Sequence, residues 1–167
     1  GGGRHASASG SERPSLLPAD LNGLDAISFD GSNDSLTLAT SLAITTEMAV
    51  VAVFRRGSSG IISQIMGGTT AGGPPYPTQW WTDNVSYVAL GNAYRTHGSA
   101  NSGTGWFLDA AYRNATVQGL RRNGSLVGTE QTAPSASGSM AYVGRRGTTY
   151  HNGRIAEIVV CGIGEIE

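Results

Sequence analysis

Lysine is missing from this chain: all 11 of its cations are arginine. That excludes Schiff-base catalysis and the lysine of a phosphate-binding loop. Cysteine occurs once, at Cys161, so there is no internal disulfide and no cysteine-built zinc site. In its apolar setting Cys161 reads as a small buried strand residue. Charged residues make up 14% of the chain, against about a quarter in ordinary globular domains. With a net charge of -1, nothing electrostatic favours nucleic acid or an acidic membrane. No apolar run reaches membrane-spanning length. The chain opens Gly1-Gly2-Gly3 without a Met, and reads as a piece processed from something longer.

What is present in quantity is glycine, 25 residues, with much Ser and Thr and an apolar fraction of 39%. A chain of 167 residues is long enough for one domain with a real core. The profile is that of a loop-rich, all-β protein. Residues 1–20 show little periodicity and read as an extended arm or linker, pinned by Leu16 and Leu17. Residues 21–167 read as the folded domain.

Period-two patterning runs through that domain. Ile27 and Phe29 share a face, Asp30-Gly31 turns the chain, and Leu36 and Leu38 repeat the alternation, which predicts a hairpin. Met48 to Phe54 is apolar on both faces and predicts a central strand. A strand is expected over Gly60–Met66. Gly67–Asn84, with its Gly and Pro, reads as a loop carrying aromatics. Val85–Leu90 alternates again, and Asn92–Gly105 reads as a polar loop. Trp106, Leu108, Ala110 and Tyr112 share a face of the next strand. Asn123-Gly124 predicts a tight hairpin turn, and Asn152-Gly153 a reversal before the last strand. In that last strand Ala156, Ile158 and Val160 are expected to meet the core. Roughly ten short strands, spaced by about 8–12 residues, predict an antiparallel two-sheet β-sandwich.

The ordered motifs resemble a known family. Phe29-Asp30-Gly31-Ser32-Asn33-Asp34-Ser35-Leu36 resembles the opening of laminin-G-like, concanavalin A-like jelly-roll modules. Gly105-Trp106, followed by an apolar strand, resembles the start of one of their strands, and Leu120–Val127 their hairpin. Gly144-Arg145-Arg146 and Asn152–Ile158 resemble their closing strands. The likeness implies a concanavalin A-like jelly roll. It implies less about function, because the family includes lectins, adhesion modules, glycosidase-appended binding modules and virion surface proteins.

Three clusters are candidate sites. Tyr76, Trp80 and Trp81 with Asp83 and Asn84 offer flat apolar platforms beside hydroxyl-binding groups, which is glycan chemistry; packing or a subunit contact is the competing reading. Asp30, Asn33 and Asp34 bring three oxygen-bearing side chains within five residues. They could contribute to a Ca²⁺ site, which needs six to eight oxygens, but such residues beside Gly are also turn formers. Arg55-Arg56, Arg121-Arg122 and Arg145-Arg146 each put one arginine on either side of a strand. Each pair is either a solvated strand end or a contact for a partner or an acidic glycan.

Catalysis has little to stand on. Jelly-roll glycosidases related to the family that this chain resembles carry a Glu-x-Asp-x-x-Glu strand, and no such spacing occurs here. Glu157 stands alone in its strand, and His5, His97 and His151 are scattered. The expectation is a non-enzyme without a cofactor, calcium aside. Its first reading is a surface module of a virion or extracellular assembly, homo-oligomeric and docked on other surface proteins. The alternative is a lectin-like carbohydrate-binding module of a secreted or cell-surface protein. Neither involves nucleic acid or membrane insertion.

Overall fold

The apolar run predicted as a central strand is one in the computed structural model, which describes residues 5–58, 63–68, 75–80, 85–93, 95–97 and 103–162. In chain order the first strands are β1 (Ala6–Ser7), β2 (Ser15–Leu21), β3 (Leu24–Asp30), β4 (Leu36–Ala43) and β5 (Met48–Arg56). There follow β6 (Ser63–Gln64), β7 (Met66–Gly67), β8 (Tyr76–Trp80), β9 (Ser86–Ala89) and β10 (Arg95–His97). The last are β11 (Trp106–Arg113), β12 (Val117–Arg122), β13 (Ser125–Leu126), β14 (Gln131–Thr132), β15 (Ser139–Val143), β16 (Arg145–Arg146), β17 (Thr149–Tyr150) and β18 (Asn152–Cys161). A single 3-10 turn, Gly10–Glu12, interrupts them among the described residues, and no helix there is long and apolar enough to cross a membrane.

Two layers form an all-β, antiparallel sandwich. The first is one large sheet in the order β13-β12-β11-β5-β18-β3-β2, with β14 added beside β12. The second consists of β1-β4-β15-β7 and β10-β9-β8-β6, which meet where Ile65 alone separates β6 from β7. β5 lies between β11 and β18, and its inward residues Met48, Val50, Ala52 and Phe54 are all buried. From the second layer they meet Ile65, Met66, Val88, Leu90 and Met140. Each such large side chain removed from water stabilises the fold by about 1.5–3 kcal/mol. Toward one edge the layers part, leaving a cavity of about 500 Å³ lined by Leu38, Leu42, Met66, Val143, Ile158 and Val160.

Three Asn-Gly pairs show how far local turn chemistry reaches. At Asn123-Gly124 both residues have positive φ, 49° and 84°, and Arg122 pairs with Ser125 across them, as predicted. Asn22-Gly23 has the same geometry, φ 49° and 86°, and joins β2 to β3. That signal contradicts the expected arm. Ser15–Leu21 is the edge strand of the large sheet, and Ala6–Ser7 pairs with β4, so the segment belongs to both layers. Asn152-Gly153 is no reversal but the start of β18, opposite Asp30 and Phe29. There glycine permits close approach: at φ 147°, a Cβ on Gly153 would lie 2.1 Å from the Arg55 carbonyl oxygen. The chain reverses instead between Arg146 and Thr149, with Gly147 at φ 54°.

Other expectations change with the tertiary register. β3 and β4 do not form a hairpin; they lie in opposite layers, and the Asp30–Asp34 loop crosses between them. The strand expected over 60–66 is two short pieces in two sheets, with residues 59–62 outside the described set. Both expected loops contain strands, β8 and β10, which pair with β9. A register shift at Ala156 puts Ile155 opposite Phe54 and Ile158 opposite Ala52, so Ile155 joins the core face while Ala156 drops out of the alternation. Cys161 is only half-buried.

Candidate functional site

The calcium candidates act as turn formers. Asp30 Oδ1 accepts hydrogen bonds from the amides of Ser32 (2.8 Å), Asn33 (3.2 Å) and Asp34 (3.4 Å), and Asp34 Oδ2 accepts one from the Asp30 amide at 2.9 Å. The Ser32 amide leads the effects that hold the Asp30 carboxyl below its ordinary value, whereas burial pushes Asp34 up. Among the described residues no group of three or more His, Cys, Asp or Glu is placed to hold a metal.

Of the aromatic candidates, Tyr76 and Trp80 lie on β8 rather than in a loop. Tyr76 pairs with Ala89 and Trp80 with Ser86, and a register shift separates the two. Trp81, Asp83 and Asn84 lie outside the described residues.

The arginine pairs do split across their strands, but the inward members are not solvated. Arg56 is 0% exposed, and its Nη2 donates to the Gly103 carbonyl at 3.2 Å. Arg122 grips Asp109 with two bonds, Nε to Oδ1 at 2.8 Å and Nη2 to Oδ2 at 2.9 Å. It also reaches Ser86 Oγ at 3.1 Å and lies 4.9 Å from the Phe107 ring centroid. Desolvation, then the nearby Arg122 cation, lowers the Arg56 pKa. Further along, His151 Nδ1 shares a 2.6 Å hydrogen bond with Ser63 Oγ, both residues being fully buried. Burial first, and the Arg56 cation with it, brings the imidazole pKa down to about 4 against the opposing backbone groups of Arg154 and Arg55. His151 is therefore a neutral core residue, edge-on to Phe29 and Phe54. Arg146 is buried over Gly67, where even a methyl group would meet its Cβ at 2.5 Å. Among the described residues this string is packed within the fold.

The outward member of the third pair is different. In β15, Met140 and Val143 pair with Leu42 and Leu36 and point to the core, so Tyr142, opposite Thr37 and Gly67, points outward. The Arg145 guanidinium lies 4.7 Å from the Tyr142 ring centroid and 5.3 Å from that of Tyr150. Its Nε donates to the Gly147 carbonyl at 2.6 Å across the β16–β17 turn. All three side chains are half-buried. The result is a tyrosine–arginine stack on the outer face of the second layer, with the guanidinium carbon over both rings. Beside it, β17 packs on β6. There the Gln64 side chain is buried, with neither amide atom hydrogen-bonded among the described residues. Sequence reasoning noted Arg145 as one of a pair but missed the stack. The signal was Tyr142-x-x-Arg145 followed by Tyr150 across a Gly147 turn, which gathers both rings only if a two-residue hairpin closes there.

Solved structures share the fold. Trypanosoma rangeli sialidase in complex with the inhibitor DANA superposes with a TM-score of 0.60 at 14% identity, over 88% of this chain and 26% of that one. The same sialidase with 2,3-difluorosialic acid gives 0.55 at 13% identity, over 82% and 27%. This chain thus spans about a quarter of the length of the sialidases it matches. The carbohydrate-binding module CBM66 from Bacillus subtilis gives 0.52 at 7% identity, over 95% of this chain and 94% of that one. No protein-family model matches the chain, and no curated protein matches it.

Proposed function

We propose that this chain is a non-catalytic carbohydrate-binding module that takes a sugar on the outer face of its second layer. The observation that carries the reading is the Tyr142–Arg145–Tyr150 stack. A sugar ring offers an apolar face edged with hydroxyls, and recognising it takes flat apolar surface next to fixed donors and acceptors. The stack supplies both, half-exposed and held in place by its own contacts. The fold shared with CBM66 along nearly its whole length supports the same class. The two antiparallel layers and the ordered motifs support a place among concanavalin A-like modules.

The virion-surface reading, with docking on other surface proteins, draws no support from the fold or its neighbours. A role as the part of a hydrolase that carries out the reaction draws little. Asp109, the buried carboxylate nearest the interior arginines, is held in an ion pair rather than offered to a substrate.

A glycan array followed by calorimetry on the hits tests the proposal. Saccharide binding is expected, weakened about tenfold or more in Tyr150→Ala by loss of ring stacking. Absence of binding to any sugar at millimolar concentration, by a folded protein, overturns it.

A further inference from the structure

The charge on the stack narrows the ligand class. Arg122 and Arg154, the arginines of the two ion pairs among the described residues, are matched by Asp109 and Asp20. Arg145 belongs to neither pair, and no carboxylate meets it among the described residues. Its Nε is fixed on the Gly147 carbonyl, and its guanidinium carbon lies over the rings of both Tyr142 and Tyr150. What remains is the Nη edge, whose paired N–H groups match the two oxygens of a carboxylate or a sulfate. A guanidinium held this way loses little freedom on binding. A neutral sugar needs the rings but has no use for an uncompensated cation beside them.

We propose, resting on the carbohydrate-binding reading above, that the site takes an acidic saccharide. The anionic group lies on the Nη edge of Arg145, and the sugar ring packs against Tyr142 or Tyr150. The step is binding alone; no bond is made or broken.

The test compares four probes by calorimetry at low and at 0.5 M salt: a galacturonate trisaccharide, its methyl ester, a sulfated galactose trisaccharide and neutral galactotriose. The free acid or the sulfate is expected to bind on the order of 10- to 100-fold more tightly than the ester or the neutral sugar. That preference should shrink at high salt. Whichever anion binds better tells a carboxylate ligand from a sulfated one. Arg145→Gln is expected to abolish the preference, and Arg145→Lys to restore part of it. The ester comparison uses the unaltered protein, so it decides the matter even if the variants unfold. Equal binding of acid, sulfate, ester and neutral sugar overturns the acidic-ligand inference but leaves the carbohydrate-binding reading standing. Failure of all four probes, together with an empty glycan array, overturns both.

Discussion

Acidifying the protein from pH 7 to pH 5 is expected to destabilise it by about 2 kcal/mol through His151 alone. The imidazole is fully buried, hydrogen-bonded to Ser63 and set among Phe29, Phe54 and the cation of Arg56. Its pKa falls from 6.5 to about 4 on folding, mainly through desolvation. The sign follows from which state binds the proton. Between pH 6.5 and 4 the unfolded chain is protonated at this residue and the folded chain is not, so stability rises with pH across that window and is lost as pH falls. At pH 5 the proton favours the unfolded state by a factor of about 30, which is about 2 kcal/mol. For a domain of this size that is about 4–8 °C in melting temperature. Asp30, whose pKa is lowered, loses its contribution only at still lower pH, and the raised Asp34 acts in the opposite direction. Melting curves followed by near-ultraviolet circular dichroism at pH 7 and 5, for the natural protein and His151→Gln, isolate the effect. The variant should lose most of the pH slope. Proton NMR gives an independent reading, since the His151 ring resonances should not move between pH 7 and 5. A ring that titrates near 6.5 in the folded protein, or an unchanged slope in the variant, would refute the reasoning.

Two further outcomes follow from the interior packing. Asp109→Ala strands the nearly buried Arg122 beside Arg56 and is expected to cost about 3–5 kcal/mol in urea unfolding, whereas replacing Asp109 and Arg122 together with Leu and Met should restore most of it. If the double replacement is as damaging as the single one, the stranded charge is not the cause. Gly144→Ala places a methyl group 2.3 Å from the Phe29 ring at φ 75° and is expected to cost about 3 kcal/mol or more, while Gly105→Ala, with open space around it, should change the melting temperature little.

Legibility in the sequence varied with the range of the forces involved. β5 was readable because a run apolar on both faces has few places to go except the middle of a sheet. The β12–β13 turn was readable because Asn123-Gly124 fixes its own backbone. The shared face of Trp106, Leu108, Ala110 and Tyr112 exists, but it is the outer one, and Leu108 is 44% exposed. The buried face carries Asp109 and Arg113, and no apolar count points to a strand that buries an ion pair inward. Gly and Pro at the start of residues 67–84 point to a loop, yet strand pairing with β9 organises Tyr76–Trp80. The tyrosine–arginine stack brings Tyr142, Arg145 and Tyr150 together only once the β16–β17 hairpin closes.

By itself the sequence determined what short-range physics can determine: strand periodicity, the turns whose φ angles only Asn and Gly accept, and the chemistries that missing lysine and scarce cysteine exclude. Tertiary structure decided which face of each strand turned inward and which arginine of each pair was buried. It decided as well that an apparent arm was an edge strand and that β3 and β4 part into opposite layers. Those outcomes depend on pairing between residues far apart along the chain. A one-residue bulge such as that at Ala156 reverses them without leaving a mark in the local pattern.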